Sequence, residues 1–195
     1  MTGELGYSLP PAIRRIANNF RLVGWISFWT QVISGIIASL LFVSAILGIQ
    51  FANRGNAENA ATGGGLFIAI AGLLAVYVGA FWAFQYTRFA RRLKTSNPDL
   101  RPTPKKAVQM ITTGLIISLV GMFLGLLGSG AVVGALMLKA IVQPQSSVLV
   151  NPRNVTDFIE PLDVFIVQAS TNTLISHFAG ILGSLWLFRI INRQS

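Results

Sequence analysis

Hydrophobic residues gather into four stretches, about 22–51, 64–87, 106–138 and 163–188, whose interiors carry no formal charge. Each is long enough to cross a hydrocarbon core as a helix. The fourth is the most informative. Its sequence from Pro161 to Arg189, PLDVFIVQASTNTLISHFAGILGSLWLFR, mixes an apolar background with Gln168, Ser170, Thr171, Asn172, Thr173, Ser176, His177 and Ser184. At about 100° per residue, Val167, Leu174, Phe178, Ile181, Leu182 and Leu185 share one arc, which is predicted to face lipid. Gln168 and Asn172 lie on a flank of that arc. Ser170, Thr173, His177, Gly180 and Ser184 lie nearly opposite. A spanning helix polar over so much of its circumference is expected to be the inner helix of a small bundle, enclosed by protein.

The other stretches show a different pattern. Ala71, Ala75, Gly79 and Ala83 recur every four residues in the second, a smooth strip suited to close helix approach. The third carries Gly121, Gly125 and Ser129, and a further pair, Gly130 and Gly134. Ahead of the first stretch, AIRRIANNFR sets Ile13, Ile16, Ala17 and Phe20 on one helical face, which predicts a short amphipathic helix in the headgroup layer, or a basic flank of the first span. Asn97-Pro98-Asp99 marks a turn, and Thr103-Pro104 and Pro161 read as helix starts. The Arg14-Arg15 pair faintly resembles a twin-arginine leader, but the charge-free run from Leu22 to Phe51 is much longer than a signal h-region, so no cleavage is expected. The organisation is therefore an all-α polytopic membrane protein: residues 1–21 a tail and amphipathic helix, residues 22–195 a four-helix transmembrane domain.

Composition fits this. Of 195 residues, 53% are hydrophobic and 11% charged, about half the charge of an ordinary soluble domain. Cysteine is absent, which excludes disulfides, thiolate metal sites and a cysteine nucleophile. The net charge of +9 points to span ends rather than nucleic acid, because twelve of the fifteen basic residues fall before span one, in the loop between spans two and three, or in the tail. Arg54, Lys139 and Arg153 lie on the other side. This asymmetry predicts both termini and the middle loop in the cytoplasm or stroma, and Trp25, Trp29, Trp82 and Trp186 fall at span ends on that same side. The basic surface of Arg88, Arg91, Arg92, Lys94, Lys105 and Lys106 is expected to attract anionic lipid or acidic partner surfaces.

Candidate chemistry is sparse. His177 is the only histidine, none of the six acidic residues lies within a span, and a metal site wants several converging ligands. An interhelical hydrogen bond is the plain reading of His177, with metal or proton handling as the alternative. Gln31, Gln85 and Gln109 can meet the Gln168–Asn172 flank in a polar seam, read either as hydrogen-bonded packing or as a conduction path. Ser176-His177 is no catalytic pair, because adjacent helix positions point apart. Gly63-Gly64-Gly65 lacks the lysine of a phosphate loop. Lys139 and Asp163 bound neighbouring spans and are expected to approach each other. No enzyme activity and no cofactor are expected.

Three blocks, GWISFWTQ at 24–31, FWAFQYTRFARRL at 81–93 and LDVFIVQASTNTLISHFAGILGSLWLFR at 162–189, together resemble the family of cyanobacterial membrane proteins and plastid inner-envelope proteins that includes Tic twenty-one, also called "permease in chloroplasts". The resemblance begins near residue 20, and a cyanobacterial-type member is the expectation. It implies four spans and two competing roles: a subunit associated with protein import or assembly at a photosynthetic-type membrane, or an iron permease. Iron is a ligand only under the second role. The lipid bilayer, subunits of a membrane complex and further copies of the chain are the partners it implies. It supplies no catalytic motif to transfer.

Overall fold

The computed structural model describes residues 10–51, 60–95, 97, 101–142 and 161–193. They form four helices: α1 (Pro11–Phe51), α2 (Ala60–Leu93), α3 (Pro104–Val142) and α4 (Pro161–Asn192). Three of them begin on proline, whose missing N–H falls where a helix has no partner for it. Thr103 caps α3, its carbonyl accepting from Ala107 N at 3.2 Å and its hydroxyl from Lys106 N at 3.4 Å. Arg91 and Arg92 in the last turn of α2, and Asp163 and Arg189 in the first and last turns of α4, sit favourably in the helix dipoles. The α2–α3 turn is tied by Arg101 Nε donating to Thr95 O at 3.0 Å.

All four helices are long and apolar enough to cross a membrane, and only 28 to 39% of each apolar window is buried within the chain. The remainder, including Leu40, Leu74, Phe81, Phe123, Ile175 and Phe178, is turned outward to meet lipid. At 1.5 Å per residue the helices are about 48–62 Å long, well beyond a hydrocarbon core of about 30 Å, so they tilt or project.

Around the bundle each helix packs on two neighbours in the order α1–α2–α3–α4, and α2 and α4 also touch across the diagonal. The interior has three layers. At the end carrying the basic residues, Phe20 and Val23 of α1, Tyr86 and Phe89 of α2, Ile111 of α3 and Leu187 of α4 make one apolar plug. At the opposite end Ala38, Phe42, Ala69, Leu73, Val132 and Ile166 make another. Between them lies a polar layer.

Two boundaries differ most from the sequence pattern, while the other ends shift by four residues or fewer. Residues 11–21 are the first turns of α1, not a separate interfacial helix, and Ala17 and Phe20 are buried in the basic-end plug. The apolar face of this segment therefore meets protein. Arginine and asparagine continue a helix where glycine or proline is absent, and none occurs between Pro11 and Gly24. For the same reason α2 runs past residue 87 to Leu93. Gly130 and Gly134 correct a second expectation: a Cβ at either would meet nothing within 4 Å, so this pair makes no close approach within the described chain.

Candidate functional site

The polar layer is built mainly by α4 and closed by residues from each neighbour. Along α4, Thr173, Ser176, His177, Gly180 and Ser184 are buried. Gln31 and Ser27 enter from α1, Gly72, Gly79 and Tyr86 from α2, and Gly114, Ser118 and Gly121 from α3.

His177 is 2% exposed, and its Nε2 lies 3.1 Å from the carbonyl oxygen of Gly72. With Nε2 protonated, the ring donates to that carbonyl and joins α4 to α2 across the diagonal. Its other face lies over Gly121 of α3, where even a single methyl would collide with the ring. The histidine thus spans three helices, and only glycine at 121 leaves room for it.

One turn further along α4, the Gln31 amide wedges between α2 and α4. A Cβ at Gly79 would stand 2.7 Å from Gln31 Oε1, and a Cβ at Gly180 would stand 2.8 Å from Nε2 and collide with the Ser118 hydroxyl. Ser27, Gln31, Tyr86, Ser118 and Ser184 line a void of about 10 Å³. That is room for about one water molecule. Tyr86 Oη and Ser184 Oγ are 3.3 Å apart at its basic-end side, and Trp82 Nε1 donates to Met110 O at 2.9 Å nearby.

The remaining polar residues of α4 satisfy themselves. Ser170, Thr171, Thr173 and Ser176 donate their hydroxyls to the carbonyls of Ile166, Val167, Ala169 and Asn172, at 2.9–3.0 Å. Asn172 Nδ2 donates to Gln168 O at 3.0 Å. Back-bonding of this kind lets a polar residue sit in an apolar medium without a neighbouring helix. It explains why α4 is not enclosed as its composition suggested. Gln168 and Thr171 are on the outer surface and Asn172 is half-buried. Gln109 is also exposed and Gln85 only half-buried, so Gln31 is the one glutamine in the layer among the described residues. Phe178, Leu182 and Leu185 of the predicted lipid arc are exposed, whereas Val167, Leu174 and Ile181 are half-buried.

Close helix contacts surround the layer. Gly125 meets Leu174 of α4, and its backbone nitrogen would lie 3.0 Å from a Cβ at Gly72. Gly128 packs directly on the backbone of Ala69. Gly24 leaves 3.0 Å between a Cβ and Ala83 O, so the far half of the Ala71–Ala83 strip does serve an α1–α2 contact. Sequence spacing did not single out Gly72, Gly114, Gly128 or Gly183. Their role depends on the partner helix, which periodicity within one helix does not identify.

Arg88, Arg91, Arg92, Lys94, Lys105 and Lys106 are exposed and gather at one end of the bundle, where Lys94 Nζ donates to Asn18 Oδ1 at 2.8 Å. Trp29 and Trp186 are exposed toward that end, and Trp25 stacks on Trp29 with centroids 6.1 Å apart. Among the described residues no group of three His, Asp or Glu side chains converges. The Lys139 side chain lies outside the described residues, and Asp163 is buried.

Residues 10–192 match the family described as "Protein of unknown function (DUF3611)". The chain is also 32% identical over 181 residues to "Protein TIC 21, chloroplastic" of Arabidopsis thaliana, a match that covers 92% of this chain and 58% of that protein. The chain thus spans less than two thirds of the length of this relative, and the resemblance carried by the three sequence blocks is met. No solved structure matches.

Proposed function

This chain belongs to the DUF3611 family, and on that premise we propose that it is a non-catalytic subunit of a membrane complex, serving assembly or protein translocation at a photosynthetic-type membrane. The observation that carries this reading is the use made of His177. The only imidazole in the chain is engaged with the Gly72 carbonyl and pressed over Gly121, which makes it a joint between helices. The polar layer is shut at both ends by apolar plugs, an arrangement suited to holding four helices together while their outer faces meet lipid or other subunits. In this reading the basic end faces the cytoplasm or stroma, with both termini there, following the positive-inside bias.

The rival role implied by the resemblance is iron permeation, in which His177 and the surrounding amide and carbonyl oxygens form a transient site. One pair of experiments separates them. Extraction in mild detergent, followed by mass spectrometry of what copurifies, is expected to return a stoichiometric membrane complex. Iron uptake by proteoliposomes of the purified protein, abolished in His177→Ala while the fold is retained, would overturn the subunit reading.

A further inference from the structure

At the basic end, the first turns of α1 and the last turns of α4 enclose a cleft lined by Arg15, Asn19, Trp186, Arg189, Ile190 and Arg193. Its volume is about 510 Å³, some fifty times that of the void in the polar layer. Three guanidinium groups share it. Among the described residues, Asp163 is the only acidic one, and it lies in the first turn of α4, at the far end of the helix. No described carboxylate therefore neutralises the cleft.

The choice of cation is informative. The middle-loop cluster mixes lysine with arginine, whereas all three cations here are arginine. Guanidinium presents a planar fork that pairs with two oxygens of a phosphate at once, and it gives up its hydration more readily than ammonium. The apolar part of the lining comes from Trp186 and Ile190 of α4. Trp186 is 56% exposed and continues directly into Leu182 and Leu185, both about half exposed, on the outer stripe of α4. A ligand that fills this cleft thus meets three guanidinium groups and, continuing along α4 from Trp186, an outward-facing apolar stripe.

We propose that the α1–α4 cleft binds the phosphate of an anionic phospholipid, with the headgroup held by Arg15, Arg189 and Arg193 and the upper acyl chain laid along Trp186. The shared chemistry is a phosphate anion, and the continuous apolar stripe assigns the lipid rather than free phosphate as its source. Basic pockets between spanning helices at the basic face of a membrane protein recognise lipid headgroups in this way. The site is distinct from the middle-loop surface of Arg88–Lys106, and it is compatible with either role considered above.

The test uses the full chain, purified and delipidated in a nonionic detergent, and titrated with dioctanoyl-phosphatidylglycerol, dioctanoyl-phosphatidylcholine or inorganic phosphate. Native mass spectrometry reads the bound species. The wild-type protein is expected to retain one phosphatidylglycerol at least tenfold more tightly than phosphatidylcholine. Arg189→Gln with Arg193→Gln is expected to remove that preference, at about fivefold for each charge. Arg91→Gln with Arg92→Gln removes as much charge from the same end without touching the cleft, and should leave the preference intact. All four arginines are exposed, so neither variant disturbs the interior. Equal retention of the two lipids, or equal loss in both double variants, would overturn the site. Inorganic phosphate binding as tightly as phosphatidylglycerol would overturn its assignment to lipid.

Discussion

Gly121→Ala is the sharpest probe of the polar layer. The added methyl would collide with the His177 ring, approaching Nε2 and Nδ1 at 2.6 and 2.7 Å before any adjustment. The ring has little freedom to retreat, because its Nε2 is already engaged with Gly72 O. Three contributions set the magnitude. Forcing an extra carbon into a packed interior costs about 1–3 kcal/mol. Loss of an interhelical hydrogen bond within a membrane bundle adds about 0.6 kcal/mol. Replacing a helical glycine by alanine returns about 1 kcal/mol. The net expectation is a destabilisation of about 0.5–2.5 kcal/mol, measurable by equilibrium unfolding in mixed micelles. His177→Ala alone should cost about 2 kcal/mol, because it leaves a hole. In the double variant the methyl introduced at position 121 occupies part of that hole, so the two effects should fall short of their sum by about 1 kcal/mol or more. A neutral Gly121→Ala, or costs that simply add, would refute the clamp.

Four further outcomes check other contacts and placements. Gly128→Ala should separate α2 from α3, since its Cβ would strike the Ala69 backbone, and cost about 2 kcal/mol or more by the same unfolding assay, whereas Gly130→Ala faces open space and should be neutral or slightly stabilising. Because the chain has no cysteine, single cysteines can be read without background: in liposomes a lipid-soluble maleimide should label Gln168→Cys readily and Thr173→Cys hardly at all, and similar labelling of both would contradict their placement. In the same system a membrane-impermeant reagent should reach Lys94→Cys from the side that also exposes Arg15→Cys, and opposite sidedness would undo the shared basic end. Trp82→Phe should cost about 1 kcal/mol through the lost bond to Met110 O, and no change would show that bond to be idle.

The four helices were legible because each apolar stretch is long and is bounded by charge or proline. The starts of α3 and α4 were legible too, at Pro104 and Pro161, but the start of α1 and the end of α2 were not. Arg88 to Leu93 and Pro11 to Arg21 carry charge, which marks the edge of hydrocarbon but does not stop a helix. The buried stripe Thr173–His177–Gly180–Ser184 could be read from the 3.6-residue period, because polar side chains opposite a leucine-rich arc have one place to go. Gln168 broke the rule. Its polarity suggested a protein partner, yet the segment beside it closes its hydrogen bonds on its own backbone, and α4 can then show that flank outward. Pairings between helices were hidden for a different reason. Gly72 against Gly125, and Gly128 against Ala69, depend on the depth at which two helices meet, which no pattern along a single helix encodes.

The sandwich of polar groups between two greasy plugs bears on how the helices choose their alignment. If α1, α2 or α4 slid along its axis by a single turn, about 5.4 Å, Gln31 would leave the notch at Gly79 and Gly180, or the imidazole would leave its carbonyl, and an amide or ring would lose its polar partners. Grease alone tolerates such slippage, because leucine meets leucine equally well one turn away. A thin band of hydrogen-bonding groups at fixed height does not, and it behaves like the notch on a key, recording how far each rod is inserted.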